Sequence, residues 1–253
     1  MPTQITEFKK TRFSAETANG YKIDHDVYTR GSGPTIVIIQ ELPGIGQSTL
    51  RLADKFIDAG FEVVMPHLFG PIGKTKILAN LARVFCLRKE FSLFSKNQSS
   101  PIVDWLKALC RSIRSEKNTR GVGVIGMCLT GNFAISLMAD DSVLASVSSQ
   151  PAMPFNDPAG LHMSAKDIAE IKVNIDRNKP IKAFRFEHDW MSKKAKFDSL
   201  DEAFNGQSER IQMNTLPGKK HSVFTEDFVD QKGHPTHTAL QQVIAYFHSS
   251  LSD

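Results

Sequence analysis

The sequence predicts an α/β fold, a mostly parallel central sheet with helices on both faces. Strand-like and helix-like stretches alternate along most of the 253 residues. The strand-like runs are largely apolar throughout, as strands buried on both faces must be. The glycine-punctuated run from Gly121 to Gly131 sits where a strand passes abruptly into a helix.

The elements follow in order. Residues 7–13 and 21–29 read as an opening hairpin or a pair of edge strands. Residues 35–40 (TIVIIQ) form a continuous apolar strand. Residues 48–59 have helical spacing through Leu50, Leu52, Ala53, Phe56 and Ile57, and Gly60 ends the helix. Residues 61–65 are the next strand, stopped by Pro66. The stretch 71–100 has no clear period and reads as a lid or an inserted helical segment. Residues 102–114 place Ile102, Leu106, Leu109, Cys110 and Ile113 on one helical face. The strand from Gly121 leads through Cys128 into a helix over 132–139. Strands at 143–149, 181–186 and 211–216 alternate with helices at 165–177, near 192–204 and at 236–250. The whole chain, 1–253, is expected to be a single domain.

Composition narrows the function. The net charge of +4 is mild, and no basic run interleaved with aromatics points to nucleic acid. No stretch reaches the roughly 18–20 apolar residues that span a bilayer. The first residues lack the apolar centre of a signal peptide. Three cysteines, Cys86, Cys110 and Cys128, make neither a disulfide framework nor a CxxC pair. A reducing cytoplasm is therefore the expected compartment, with a monomer or homodimer as the expected assembly.

In a parallel sheet, ligands bind at the carboxyl ends of the strands. Cys128 follows one strand, Glu187-His188-Asp189 a second, His221 a third and Glu41-Leu42-Pro43-Gly44 a fourth. The strand–turn–helix around Cys128 has the context of a nucleophile elbow, and nucleophile, acid, histidine is the chain order of α/β-hydrolases. A thiolate attacks a carbonyl carbon, histidine moves the proton, and a carboxylate fixes the imidazole tautomer. The backbone N–H groups of Leu129 and Leu42 would be the oxyanion donors.

Each residue also has a plainer reading. Cys128 alone would more often be a core residue, Asp189 a turn former, His221 a surface residue and Glu41 a loop cap. Glu187 competes with Asp189 as the acid. Cys86 and Cys110 read as packing residues, and His67 as a residue at the rim. His234 and His237 lack a third ligand for a metal, so no metal is expected. Trp190 would line the cleft or cover the sheet edge.

The segments around Gln40-Glu41-Leu42-Pro43-Gly44, Gly60-Phe61-Glu62-Val63-Val64-Met65-Pro66, Gly126-Met127-Cys128-Leu129-Thr130-Gly131, His188-Asp189 and Gly218-Lys219-Lys220-His221-Ser222 together resemble the dienelactone hydrolase family. The resemblance covers roughly residues 20–250. It implies an α/β-hydrolase domain with a Cys128–Asp189–His221 triad and no cofactor. It also implies that Glu41 holds the resting thiol and accepts its proton. The reaction implied is hydrolysis of a lactone or activated ester through a thioester acyl-enzyme.

Two positions depart from the family. Thr130 stands where the elbow commonly has glycine, and its hydroxyl is a candidate for reaching the cleft. No arginine follows His221, so carboxylate binding would fall to Arg83 or Arg88 in the 71–100 segment. The alternative is a non-catalytic protein of the same fold that binds a ligand or partner. A further reading is a hydrolase of peptides or acyl-thioesters.

Overall fold

The computed structural model describes residues 2–18, 20–42, 44–70, 72–73, 100–152, 157, 159–161 and 163–252. The strands are β1 (Lys9–Glu16), β2 (Lys22–Gly31), β3 (Thr35–Ile39), β4 (Glu62–His67), β5 (Val122–Met127), β6 (Val143–Ser149), β7 (Ile181–Phe186) and β8 (Ile211–Leu216). The helices are α1 (Gln47–Asp58), α2 (Pro101–Lys117), α3 (Leu129–Leu137), α4 (Ala165–Arg177), α5 (Lys194–Phe204) and α6 (Pro235–Leu251). Nearly all of the 71–100 segment, with Arg83, Cys86 and Arg88, lies outside the described residues, as does Pro43.

The strands form one sheet in the order β1-β2-β4-β3-β5-β6-β7-β8. Pairings from β4 through β8 are parallel, while β1–β2 and β2–β4 are antiparallel. The mostly parallel expectation therefore holds, with the opening hairpin as the antiparallel edge.

The sequence pattern explains the layering. Side chains alternate across a strand, so Ile36 and Ile38 face one layer and Val37 and Ile39 the other. Ile36 and Ile38 share a core with Phe56 of α1 and Phe247 of α6. Val37 and Ile39 share one with Trp105 of α2, Phe133 of α3, Ile171 of α4 and Phe204 of α5. Burying each such side chain contributes roughly 1.5–3 kcal/mol. The closeness of these layers depends on Gly123, where a Cβ would lie 2.8 Å from the Phe247 ring.

Two expectations are corrected at the edge. Pro66 does not stop its strand, because β4 continues to His67. Pairing with β3 ends at Val64, and beyond it β4 pairs only with β2. A residue without an N–H is tolerated where one side of the strand has no ladder to maintain. The first strand begins at Lys9 rather than at residue 7, after a 3-10 turn over Ile5–Glu7.

The chain reverses its winding between β3 and β5, which are neighbours although β4 lies between them in sequence. Such a switch opens a crevice at the strand ends. Ile39 is opposite Gly126 in the β3–β5 ladder. Glu41 and Cys128 each follow by two residues, so the register brings both to this crevice.

Candidate active site

Cys128 has φ 58° and ψ −123°, a conformation that a non-glycine residue adopts only when its surroundings enforce it. Those surroundings are visible. The Cys128 N–H donates to the Ser149 carbonyl at 3.0 Å, and its own carbonyl accepts from Gly131 and Ala152, each at 3.1 Å. A Cβ on Gly126 would meet the Thr130 carbonyl at 2.1 Å, and one on Gly131 the Ser149 carbonyl at 3.0 Å. The glycines on either side thus allow strand and helix to close on the turn. Cys128 itself is buried, with Leu129 as the first residue of α3.

Thr130 does not reach a cleft. It is fully buried, and its hydroxyl accepts the Met127 N–H at 3.0 Å and lies 3.1 Å from the Ile39 carbonyl as donor. It ties the end of β5 to the end of β3. A threonine fits here because the close approach falls on Gly126 and Gly131 instead.

The acid comes from the loop after β7. Asp189 Oδ1 accepts the N–H groups of Met191 at 2.8 Å and Ser192 at 3.0 Å, which leaves Oδ2 for His221 Nδ1 at 2.8 Å. Its side chain is fully buried, whereas the competing Glu187 is 60% exposed and lies beside His188. Arg185 builds this loop: Nε donates to the Ser192 carbonyl at 2.8 Å and a terminal nitrogen to the Glu187 carbonyl at 2.9 Å. Ser192 in turn donates to the Pro151 carbonyl next to the elbow, at 2.9 Å.

His221 is fixed from several sides. Asp227 Oδ2 accepts the N–H groups of His221 at 3.1 Å and Ser222 at 3.0 Å. The second ring nitrogen, Nε2, is buried and makes no well-formed hydrogen bond, yet the Cys128 thiol is close enough to act on the ring. Burial opposes the imidazolium, but the hydrogen bond to Asp189 and the nearby Cys128 sulfur outweigh it and raise the pKa to about 10.

Glu41 is buried at the end of β3. Thr225 donates its hydroxyl to Oε1, and Ser222 donates to Oε2 at 3.3 Å. Burial pushes this carboxyl above the usual range, against the opposing pull of Thr225 and of nearby His221. Its hydrogen bonds therefore run to the loop that carries His221, not to the thiol as the resemblance implied. Gln150 grips the same loop, accepting the Val223 N–H at 3.3 Å. Gln150 is also held at positive φ, 35°, and is fully buried.

Leu42 is buried in the turn after Glu41. Trp190, read as lining the cleft or covering the sheet edge, follows Asp189 in the chain and is 72% exposed. His67 is engaged locally, 2.6 Å from the Gly70 carbonyl, and His234 caps α6 by accepting the Thr236 N–H at 3.3 Å. Cys110 is a packing residue of α2, fully buried. Among the described residues no group of three His, Cys, Asp or Glu side chains is placed to hold a metal. Among them, too, no helix is long and apolar enough to cross a membrane. Sequence reasoning missed Arg185, Gln150, Ser222 and Thr225 as organisers of the site. Ser222 lies within the histidine motif, but nothing local signals its partner.

A family model described as the dienelactone hydrolase family matches residues 25–251. Among curated proteins, none matches the chain. Several solved structures share the fold. A dienelactone hydrolase-like promiscuous phosphotriesterase from metagenomic libraries has a TM-score of 0.66 at 12% identity, covering 96% of this chain and 99% of its own. A cold-adapted esterase from an Arctic intertidal metagenomic library has a TM-score of 0.60 at 14% identity, covering 98% and 96%. Carboxyl esterase 2 of the mycorrhizal fungus Tuber melanosporum has a TM-score of 0.62 at 12% identity, covering 97% and 88%.

Proposed function

We propose that this chain, which belongs to the dienelactone hydrolase family, is a single-domain hydrolase that cleaves a small carboxylic ester or lactone through Cys128, His221 and Asp189. The observation that carries this reading is the 2.8 Å contact between Asp189 Oδ2 and His221 Nδ1, beside a cysteine held in a strained turn.

The chemistry follows from the placement. Asp189 fixes the tautomer with Nδ1–H toward itself, which turns Nε2 toward Cys128. The thiol gives its proton to Nε2, and the thiolate attacks the acyl carbon. The backbone N–H groups of Leu129 and Leu42 receive the charge that develops on the carbonyl oxygen, each such donor being worth roughly 10²–10³ in rate. Collapse of the adduct breaks the acyl–oxygen bond. The His221 imidazolium returns its proton to the leaving alkoxide, and a thioester remains on Cys128. His221 then takes a proton from water, the resulting hydroxide attacks the thioester, and the acid leaves as the thiol reforms.

Glu41 enters as a positioning residue. Its two oxygens hold Ser222 and Thr225, so the carboxyl sets the height of the His221 loop above the elbow. The second reading keeps Glu41 as acceptor of the thiol proton, favoured by the register that brings it beside Cys128. Glu41→Gln separates the two. A pH profile of thiol alkylation that is unchanged while kcat falls supports positioning, and a displaced profile supports proton transfer.

The test of the main reading is hydrolysis of p-nitrophenyl acetate, with intact-mass detection of an acetyl adduct after rapid quenching. The adduct is expected on Cys128 and is expected to vanish in Cys128→Ala together with turnover. Undiminished hydrolysis by Cys128→Ala would sink the reading. Substrate charge is a separate question, answered by comparing neutral esters with anionic lactones in Arg83→Ala and Arg88→Ala.

A further inference from the structure

Behind the His221 loop lies a cavity of about 310 Å³, between α1, the loop after β8 and α6. Its walls include Leu52, Phe224, Phe228 and Leu240, with Arg51 at the rim and Thr225 on the side toward Glu41. A volume near 300 Å³ is at the small end of ligand pockets.

The charges at the rim are unevenly satisfied. Asp54 is paired with Arg30 at 3.0 Å and accepts from Thr3 at 2.6 Å. Lys55 is paired with Asp230 at 2.6 Å. Arg51 has only the neutral Ser48 hydroxyl, at 2.9 Å, and no carboxylate partner among the described residues. Asp58, the remaining acid, lies seven positions further along α1, about 10 Å by helical rise. The cavity thus offers an apolar interior and, at one end, a guanidinium whose fork suits a carboxylate.

Thr225 belongs to both sites, since it lines the cavity and donates to Glu41. Phe224 beside it is buried against Phe184 of β7, with ring centres 5.2 Å apart. An occupant that displaces Phe224 or Thr225 therefore moves the short segment that follows His221.

We propose that this cavity binds a small carboxylate with a compact apolar body, and that its occupancy slows the chemistry at Cys128 through the Thr225–Glu41 contact. The binding half stands on the cavity alone. The coupling half rests on the reading of His221 and Glu41 given above. The carboxylic acid released by ester hydrolysis has this chemistry, so the site would sense product.

The probe is hexanoate, with hexanol as the uncharged control. In calorimetric titration of the Cys128→Ala chain, hexanoate should bind and hexanol should not. Binding should weaken about tenfold when Arg51→Ala is added, disappear with Arg51→Glu and fall between the two parent chains with Arg51→Lys, which keeps the charge but loses the fork. Equal affinity in all of these chains overturns the site. For coupling, the rate of Cys128 alkylation by iodoacetamide is followed with and without hexanoate. It should fall about fivefold in the wild type and not change in Arg51→Ala. The same loss in both chains, or none in either, overturns the coupling. Alkylation needs no turnover, so absent esterase activity would defeat the proposed function while this arm still decides the inference. Where turnover is present, hexanoate should lower kcat in the wild type but not in Arg51→Ala; purely competitive inhibition in both overturns the coupling.

Discussion

Thr225 donates its hydroxyl to the Glu41 carboxylate, joining the loop that carries His221 to the end of β3. The two residues are 184 positions apart in the chain. Breaking this contact leaves a buried carboxyl short of one donor, which costs roughly 1–3 kcal/mol. Thr225→Val should therefore lower the urea midpoint and reduce kcat, with KM little changed. Thr225→Ser, which keeps the hydroxyl, should restore most of both. If kcat in Thr225→Val equals the wild type after correction for folded fraction, the contact does not position His221.

Thiol reactivity should separate the described cysteines. Burial pushes the Cys110 thiol well above its ordinary range, with Asp140 adding to the effect. A buried neutral thiol is inert, and a thiol beside a histidine is not. Iodoacetamide followed by peptide mapping should label Cys128 far faster than Cys110, and His221→Asn should remove most of the difference. Equal slow labelling of both would argue against an activated thiol.

Thr130 links Met127 and Ile39 across the floor of the elbow. Thr130→Val keeps the shape but strands the Met127 N–H and the Ile39 carbonyl. We expect a loss of about 1–3 kcal/mol by urea denaturation. Activity per folded molecule should change little, because the hydroxyl points into the protein. A large rise in KM or fall in kcat at full folding would mean that the side chain acts on substrate after all.

Most of the fold was readable because its strands are short apolar runs between turn residues. The strands at 143–149, 181–186 and 211–216 have the same bounds in sequence and structure. Pro66 was misread because its tolerance depends on where β3 stops pairing, which no local pattern records. Cys128, Asp189 and His221 were legible as residues at strand ends. The choice of Asp189 over Glu187 was not, since it depends on which carboxylate the Arg185-built loop buries. The partners of Glu41 lie 181 and 184 residues away, and only the folded sheet brings them together. Adjacency of Trp190 to Asp189 in sequence left both of its readings open, because it says nothing about the direction in which the ring points.

The raised pKa of His221 has a consequence for stability that can be worked through by sign. Unfolded, the imidazole has an ordinary pKa near 6.5; folded, it is held up to about 10. The folded state therefore binds the proton more tightly. Below pH 6.5 the ring is protonated in both states, and the stabilisation by Asp189 and Cys128 is fully present. Between pH 6.5 and about 10 the unfolded chain has lost its proton while the folded chain keeps it, so this stabilisation is progressively given up as pH rises. Above pH 10 it is gone. Urea denaturation at a series of pH values should show His221's contribution declining across that window. His221→Asn should flatten the decline, and Cys128→Ala should move its upper end to lower pH, because one of the groups that raise the pKa is missing. A wild-type curve whose slope in this window matches that of His221→Asn would mean that the ring is not held as the cation.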